Sequence, residues 1–392
     1  MNSGLDRLQV EHLPQLVGQR LGVLMNQASV DARLQLASDV LLRLFPNQVQ
    51  AILTPQHGLF GEQQANMIES SHGVCPTNAL PVFSLYSETR RPTAGMLEQF
   101  DCLVVDLQDV GTRVYTFIWT VLECLVACGQ TGKRVVVLDR PNPIGGNVFE
   151  GPLLDENFQS FVGGACIPLR HGLTIAEMAR FLVAEKSLDV DLHVVPMSGW
   201  RRDMMFQETG LHFVWPSPNI PRWQTALVYP GLVLLEGTNL SEGRGTTRPF
   251  ELAGAPFIQE YNWYNELQQF ESHGLRFVPS RFTPTFDKWA GQSCGGVALH
   301  WADDANVRSV AATVAILATA ARLWPDQFHW LPPPYEYEYE KMPIDILFGS
   351  PALRQFVDNC RRGQQVTLDS ISDLLALNTE AWQERVRPYL LY

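Results

Sequence analysis

Four short apolar runs in this chain each end in residues able to do chemistry. Residues 21–25 lead into Asn26 and Gln27, and residues 51–53 lead into Gln56 and His57. Residues 103–105 lead into Asp106, Gln108 and Asp109, and residues 135–138 into Asp139, Arg140 and Asn142. Amides and guanidinium groups read hydroxyls and carboxylates, whereas imidazoles and carboxyls can also move protons. Apolar runs of this length, alternating with helical patterns, read as strands buried in a parallel sheet. Ligands of such sheets sit beyond the carboxyl ends of the strands, so the four tips are expected to converge on one cleft.

Each tip also has a plainer reading. The segment 106–115 is the densest polar cluster, with Gly111 allowing a tight turn before a helix. Free N–H groups at that helix start, together with Arg113, would hold a carboxylate or a set of sugar hydroxyls. Alternatively Asp109 and Arg113 pair with each other and cap the helix. In 139–146 two prolines and two glycines surround Arg140 and Asn142 and would hold them with little freedom. There the alternative is an Asp139–Arg140 ion pair that staples the turn. His57 could shuttle a proton or donate a hydrogen bond, and Glu62 is the carboxylate nearest that strand end, unless it is solvated loop charge. In 236–247, Gly243 and Gly245 flank Arg244, letting backbone approach a ligand. Ser217 and Asn219, in the proline-stiffened 216–221, are candidate sugar contacts or part of a surface turn.

The elements that must position these residues follow from spacing. Leu34, Ala37, Leu41 and Leu44 form a helical face ended by Pro46. Val114, Phe117, Ile118, Val121, Leu122 and Leu125 predict an amphipathic helix closing near Gly129, and 134–138 is the next strand. Thr174 and Glu177 have capping-box spacing, so a helix starts there, and 194–195 looks like one more strand. Residues 215–256 are rich in Pro, Gly, Ser, Thr and Asn and read as a long functional loop. Beyond 257, pieces such as 296–299 and 307–323 predict a smaller α+β unit, and the Tyr/Glu alternation of 335–340 an exposed edge strand or extended connection. Strand–helix alternation in the first part implies right-handed βαβ units and an α/β sheet.

Bulk properties narrow the function. A chain of 392 residues has room for two domains. Its net charge of −12 excludes nucleic acid and anionic membrane as natural partners. Seven cysteines without a C-x-x-C pair fit a reducing compartment. No apolar segment near the N-terminus resembles a signal peptide, and the alanine-rich 310–321 is too short to span a bilayer, so a soluble, cytoplasmic protein is expected. The glycine pattern for dinucleotides, the G-x-S-x-G elbow and the H-E-x-x-H zinc motif are all missing, so no cofactor and no metal are expected.

Four strings together carry a resemblance: residues 108–116 (QDVGTRVYT), 138–146 (LDRPNPIGG), 216–219 (PSPN) and 236–246 (EGTNLSEGRGT). They resemble the exo-acting β-N-acetylmuramidases, bacterial glycoside hydrolases that remove N-acetylmuramic acid from the non-reducing ends of peptidoglycan fragments. The likeness runs from about Gly22 to Tyr392. It implies a Rossmann-like N-terminal domain, residues 1–250, carrying most of the site, and a smaller α+β domain, residues 251–392, closing the cleft. The family pattern at the second strand end is Pro-Glu-His-Gly, its Glu being implied as acid or base, whereas this chain reads Pro55-Gln56-His57-Gly58. A carboxamide cannot exchange a proton, so another group must donate it.

The catalytic candidates are Glu62, Asp109 and His57, with Glu242 a further proton donor. The sugar-binding candidates are Asn26, Gln56, Arg113, Tyr115, Arg140, Asn142, His171, Ser217, Asn219, Asn239, Glu242 and Arg244, with Arg113 or Arg140 expected on the lactyl carboxylate. The expected function is release of N-acetylmuramic acid, or a related amino sugar, from imported wall fragments; the alternative is a non-catalytic muropeptide-binding protein of the same fold. The only partner expected is a small saccharide, and the oligomeric state stays open.

Overall fold

The computed structural model describes residues 1–11, 13–64, 67–271, 275–302 and 304–392. Its first part is built on a seven-stranded sheet of β1 (Leu21–Met25), β2 (Val49–Thr54), β3 (Gly73–Val74), β4 (Pro81–Ser84), β5 (Cys102–Asp106), β6 (Arg134–Leu138) and β7 (Leu192–Val195). The order across the sheet is β3-β4-β2-β1-β5-β6-β7, parallel throughout except where the short β3 meets β4. From β1 the chain first builds outward through β2 and β4, then returns to place β5 on the other side of β1. That reversal is the topological switch point beside which ligands of open α/β sheets bind.

Both faces of the sheet are covered, and the side-chain alternation of each strand serves two cores. On β5, Leu103 and Val105 enter the larger core while Cys102 and Val104 enter the smaller one. The helices Phe117–Gln130 and Ile175–Glu185 pack in the larger, Ala37–Leu44 in the smaller. Helix Ile175–Glu185 begins with the expected capping box, Thr174 and Glu177 each satisfying a backbone N–H of the other.

The second part holds an antiparallel sheet in the order β8-β10-β9, with β8 at Leu252–Ala255, β9 at Leu275–Phe282 and β10 at Cys294–Trp301. Helix Glu260–Leu267 packs on β9 and β10, and helix Ser309–Leu323 packs on that helix and on helix Trp223–Leu232. Gly231 makes that approach feasible: a Cβ there would lie 2.0 Å from the Ser309 carbonyl oxygen. The chain end returns to the first sheet. The Tyr392 hydroxyl donates to Asp139 Oδ2 at 2.8 Å, and Arg180 Nη1 donates to the Tyr389 carbonyl at 2.8 Å. Among the described residues, no helix is long and apolar enough to cross a membrane.

Several elements differ from expectation. Leu34 precedes its helix in a left-handed conformation and is half-exposed, and Val114 lies in the turn before helix Phe117–Gln130. The supposed loop 215–256 contains helix Trp223–Leu232, a 3₁₀ turn and β8. That helix is buried almost all round, so it has no polar face to create a period, and Pro230 and Gly231 disguise it further. Residues 335–340 form no edge strand; Tyr335 bridges Glu338 across a turn, and Tyr335 and Glu336 are buried.

Candidate functional site

A pocket opens where β2 and β5 end on either side of β1. It is narrow, with a cavity volume of about 30 Å³. After β2 come Gln56 and His57; after β5, Tyr115 and Thr116. Ser217, Asn219, Tyr229, Glu236 and Arg244 come from the segment once read as loop, and Tyr335 and Glu336 close the far side. His57, Phe250 and Glu336 all carry left-handed backbone angles, a concentration of strain typical of functional sites.

Hydrogen bonds fix the floor. Thr116 Oγ1 donates to Gln56 Oε1 at 2.8 Å, so the carboxamide is oriented from below. His57 Nδ1 lies 2.6 Å from the Gln63 carbonyl, which can only accept, so Nδ1 carries the proton. Burial, and secondarily Arg244, push the His57 imidazole down to about 4 against that hydrogen bond. His57 is therefore neutral near pH 7, with Nε2 an acceptor for a hydroxyl rather than a proton shuttle.

Charge is concentrated on one wall. Gly243 and Gly245, at φ +81° and +75°, let the chain turn Arg244 inward over the Phe250 ring. Arg244 Nη2 donates to Glu236 Oε1 at 2.5 Å, and the Tyr335 hydroxyl donates to Glu236 Oε2 at 2.6 Å. Burial pushes the Glu236 carboxyl up and Arg244 opposes it. Glu242 lies behind Arg244 and takes Lys288 Nζ at 2.8 Å; burial would raise it, but Lys288 and Arg244 outweigh burial and hold it below the usual range. Across the pocket, Glu336 accepts the Tyr86 hydroxyl at 2.8 Å. Burial, with the neighbouring Glu236, drives the Glu336 carboxyl up to about 7 against Tyr86 and Arg90.

The pocket thus gathers Gln56, His57, Tyr115, Ser217, Asn219 and Arg244 from the sequence candidates. The others lie elsewhere. Glu62 is exposed on its turn. Asp109 accepts the Gly111 N–H at 2.7 Å and faces His171 at 3.4 Å, both buried behind the strand tips. Arg113 is fully buried and gives its N–H groups to the carbonyls of Pro152, Ile167 and Leu347, a bracing role that neither the ligand nor the Asp109 reading anticipated. Arg140 pairs with Asp106 at 2.5 Å rather than with Asp139, which instead takes Thr174, Ala176 and Tyr392. Asn26, Asn142 and Asn239 hold backbone groups: Asn26 the Pro216 carbonyl, Asn142 that of Leu173, Asn239 that of Gln327. Glu236, Tyr335 and Glu336 were missed. Glu236 stood in plain view at the head of a quoted string, and a Tyr-Glu pair in an alternating run carries no sign of burial.

With this geometry in place, comparison with known proteins is informative. The family model described as exo-β-N-acetylmuramidase NamZ, N-terminal, matches residues 21–224, and its C-terminal counterpart matches residues 227–392. The chain is similar to the peptidoglycan β-N-acetylmuramidase NamZ of Bacillus subtilis strain 168, with 42% identity over 392 residues, covering all of this chain and 91% of that protein. It is also similar to two crystal structures of DUF1343 family proteins from Bacteroides fragilis NCTC 9343. One superposes with a TM-score of 0.87 at 29% identity, the other with 0.74 at 25%, each covering all of this chain and 98% of the other. The chain belongs to the exo-β-N-acetylmuramidase NamZ family.

Proposed function

We propose that the protein is a glycoside hydrolase that releases N-acetylmuramic acid from the non-reducing end of peptidoglycan-derived fragments, with Glu336 as its proton donor. The observation that carries this reading is a buried carboxyl, held protonated up to about pH 7, on the wall of a pocket lined with hydroxyl- and amide-bearing side chains. Glu336 gives its proton to the glycosidic oxygen as the bond from C1 breaks and the alcohol departs; water then adds at C1 and its proton restores the carboxyl. Glu236, fixed by Arg244 and Tyr335, faces the positive charge that develops at C1. Among the described residues Arg244 is the one guanidinium lining the pocket, and its Nε has no hydrogen-bond partner there, so it takes over the lactyl carboxylate from Arg113 and Arg140. Gln56, His57, Ser217 and Asn219 read the sugar's polar groups.

The division of labour runs along the chain: residues 1–250 supply the lining except Tyr335 and Glu336, with which residues 251–392 close the cleft. The cysteines are free, which supports a reducing compartment and hence cytoplasmic recycling of wall fragments. Incubation with a chromogenic β-N-acetylmuramide and its N-acetylglucosamine counterpart tests the proposal. Chromophore release from the muramide, with little from the counterpart, is expected; release from neither between about pH 5 and 8, where catalytic carboxyls work, removes it.

A further inference from the structure

Glu336 sits on a turn that its own sequence does not favour. Tyr335 and Glu338 exchange two backbone hydrogen bonds at 2.9 Å, and the two residues between them, Glu336 and Tyr337, have φ of +44° and +67°. Two-residue turns with positive φ at both positions prefer Asn-Gly, because a side chain is strained there. Glu-Tyr keeps such a shape only when the surroundings hold it. The hold comes from the loop after β4. Tyr86 grips the first turn residue, its hydroxyl donating to Glu336 Oε2 at 2.8 Å. Arg90 grips the second: its guanidinium lies 4.3 Å from the Tyr337 ring centre, 4.0 Å from that of Tyr86 and 5.8 Å from that of Phe161. Three rings thus form an aromatic cage around one cation.

We infer that Arg90 is a positioning residue for the proton donor: stacked between Tyr86 and Tyr337, it pins the strained Glu336-Tyr337 turn to the loop after β4. The inference rests on the reading of Glu336 as that donor. Arg90 is itself anchored, since Nη1 donates to the Ser87 carbonyl at 2.6 Å and its side chain is only 17% exposed. Its Nε has no hydrogen-bond partner among the described residues, as suits a guanidinium held by its faces. Arg90 also acts by charge, drawing the Glu336 carboxyl down against burial. The other groups that face Glu336 are Tyr86 and Arg244, which lower it, and Glu236, which raises it. Glu69 approaches Arg90 Nη2 only to 3.9 Å from a half-exposed position, and Glu338 has Lys341 beside it at 3.6 Å.

Turnover of a chromogenic β-N-acetylmuramide by the full chain, followed from about pH 5 to 9, tests this. Arg90→Met fills the cage without charge or plane. It is expected to lose kcat about tenfold at the acid end, where Glu336 stays protonated, through misplacement alone. The falling limb of kcat/KM should also move up by about one unit, because a facing cation has been removed. Arg90→Lys keeps the charge but not the plane, so the limb should stay in place while kcat recovers only in part. Tyr337→Leu opens one side of the cage and should lower kcat, and Tyr337→Phe, which keeps the ring, should restore it. Affinity for N-acetylmuramic acid, measured calorimetrically, should not change in any of them, since neither residue lines the pocket. A limb that Arg90→Met leaves in place, Tyr337→Leu as active as Tyr337→Phe, or a loss of sugar affinity matching the loss of kcat overturns the inference. Should Arg90→Met fail to fold, the Tyr337 pair, at a position 43% exposed, decides. If Glu336→Gln keeps the parental kcat, the donor reading itself falls; if Glu336→Gln is crippled while Arg90→Met behaves as the parent, only the role of Arg90 falls.

Discussion

Glu336 can donate only while it holds its proton, and burial keeps that proton in place up to about pH 7. The kcat/KM profile of the parent should therefore fall above about pH 7. Glu336→Gln should lose kcat by about 10²–10⁴-fold and lose that falling limb as well; a limb that persists in the variant would assign it to another group. Gln56 offers a second test. Thr116 can donate to a carboxylate as readily as to the present carboxamide, so Gln56→Glu is expected to fold normally and raise turnover of a chromogenic muramide. Unchanged turnover would mean that position 56 only orients the sugar. At this scale the sequence was half legible. Gln56, His57, Ser217, Asn219 and Arg244 stood out because strand ends, prolines or glycines framed them. Glu336 did not, because the burial that raises it comes from segments far away in the chain, Tyr86 being 250 positions off, and no local pattern announces it.

The elements that were read correctly are those whose burial is one-sided or complete over a short strand. β1, β5 and β6 show as apolar runs, and helix Ile175–Glu185 shows its capping box. Helix Trp223–Leu232 escaped because full burial erases amphipathic period. Its contact with Ser309–Leu323 depends on the missing side chain at Gly231, where an added Cβ would also come within 2.6 Å of Thr313 Oγ1. Gly231→Ala is thus expected to cost about 1–3 kcal/mol, read as a lower midpoint in chemical denaturation. Because Tyr229, on the same helix, lines the pocket, binding of N-acetylmuramic acid should weaken as well. A neutral outcome in both measurements would mean the two helices can part without consequence.

Across the whole molecule, the pocket is where the two sheets' territories meet, and the chain end ties them together by returning to Asp139 and Arg180. The α/β class and a cleft at the strand tips were visible from alternation alone, whereas the long-range closure by residues 335–336 was not. One consequence concerns endurance rather than rate. A carboxyl with a usual value of 4.5 in the unfolded chain and about 7 in the folded one favours folding below 4.5 and forfeits that advantage as pH climbs through 7. The forfeit is on the order of 3 kcal/mol, at about 1.4 kcal/mol per unit. Glu336→Gln keeps an acceptor for Tyr86 but never ionises, so at pH 8 the crippled variant should outlast its working parent in a thermal melt, with the gap narrowing towards pH 5. A parent that melts later at every pH would show that this acid carries no such burden; the expected pattern would mean that each working copy trades durability for the ability to let go of a proton.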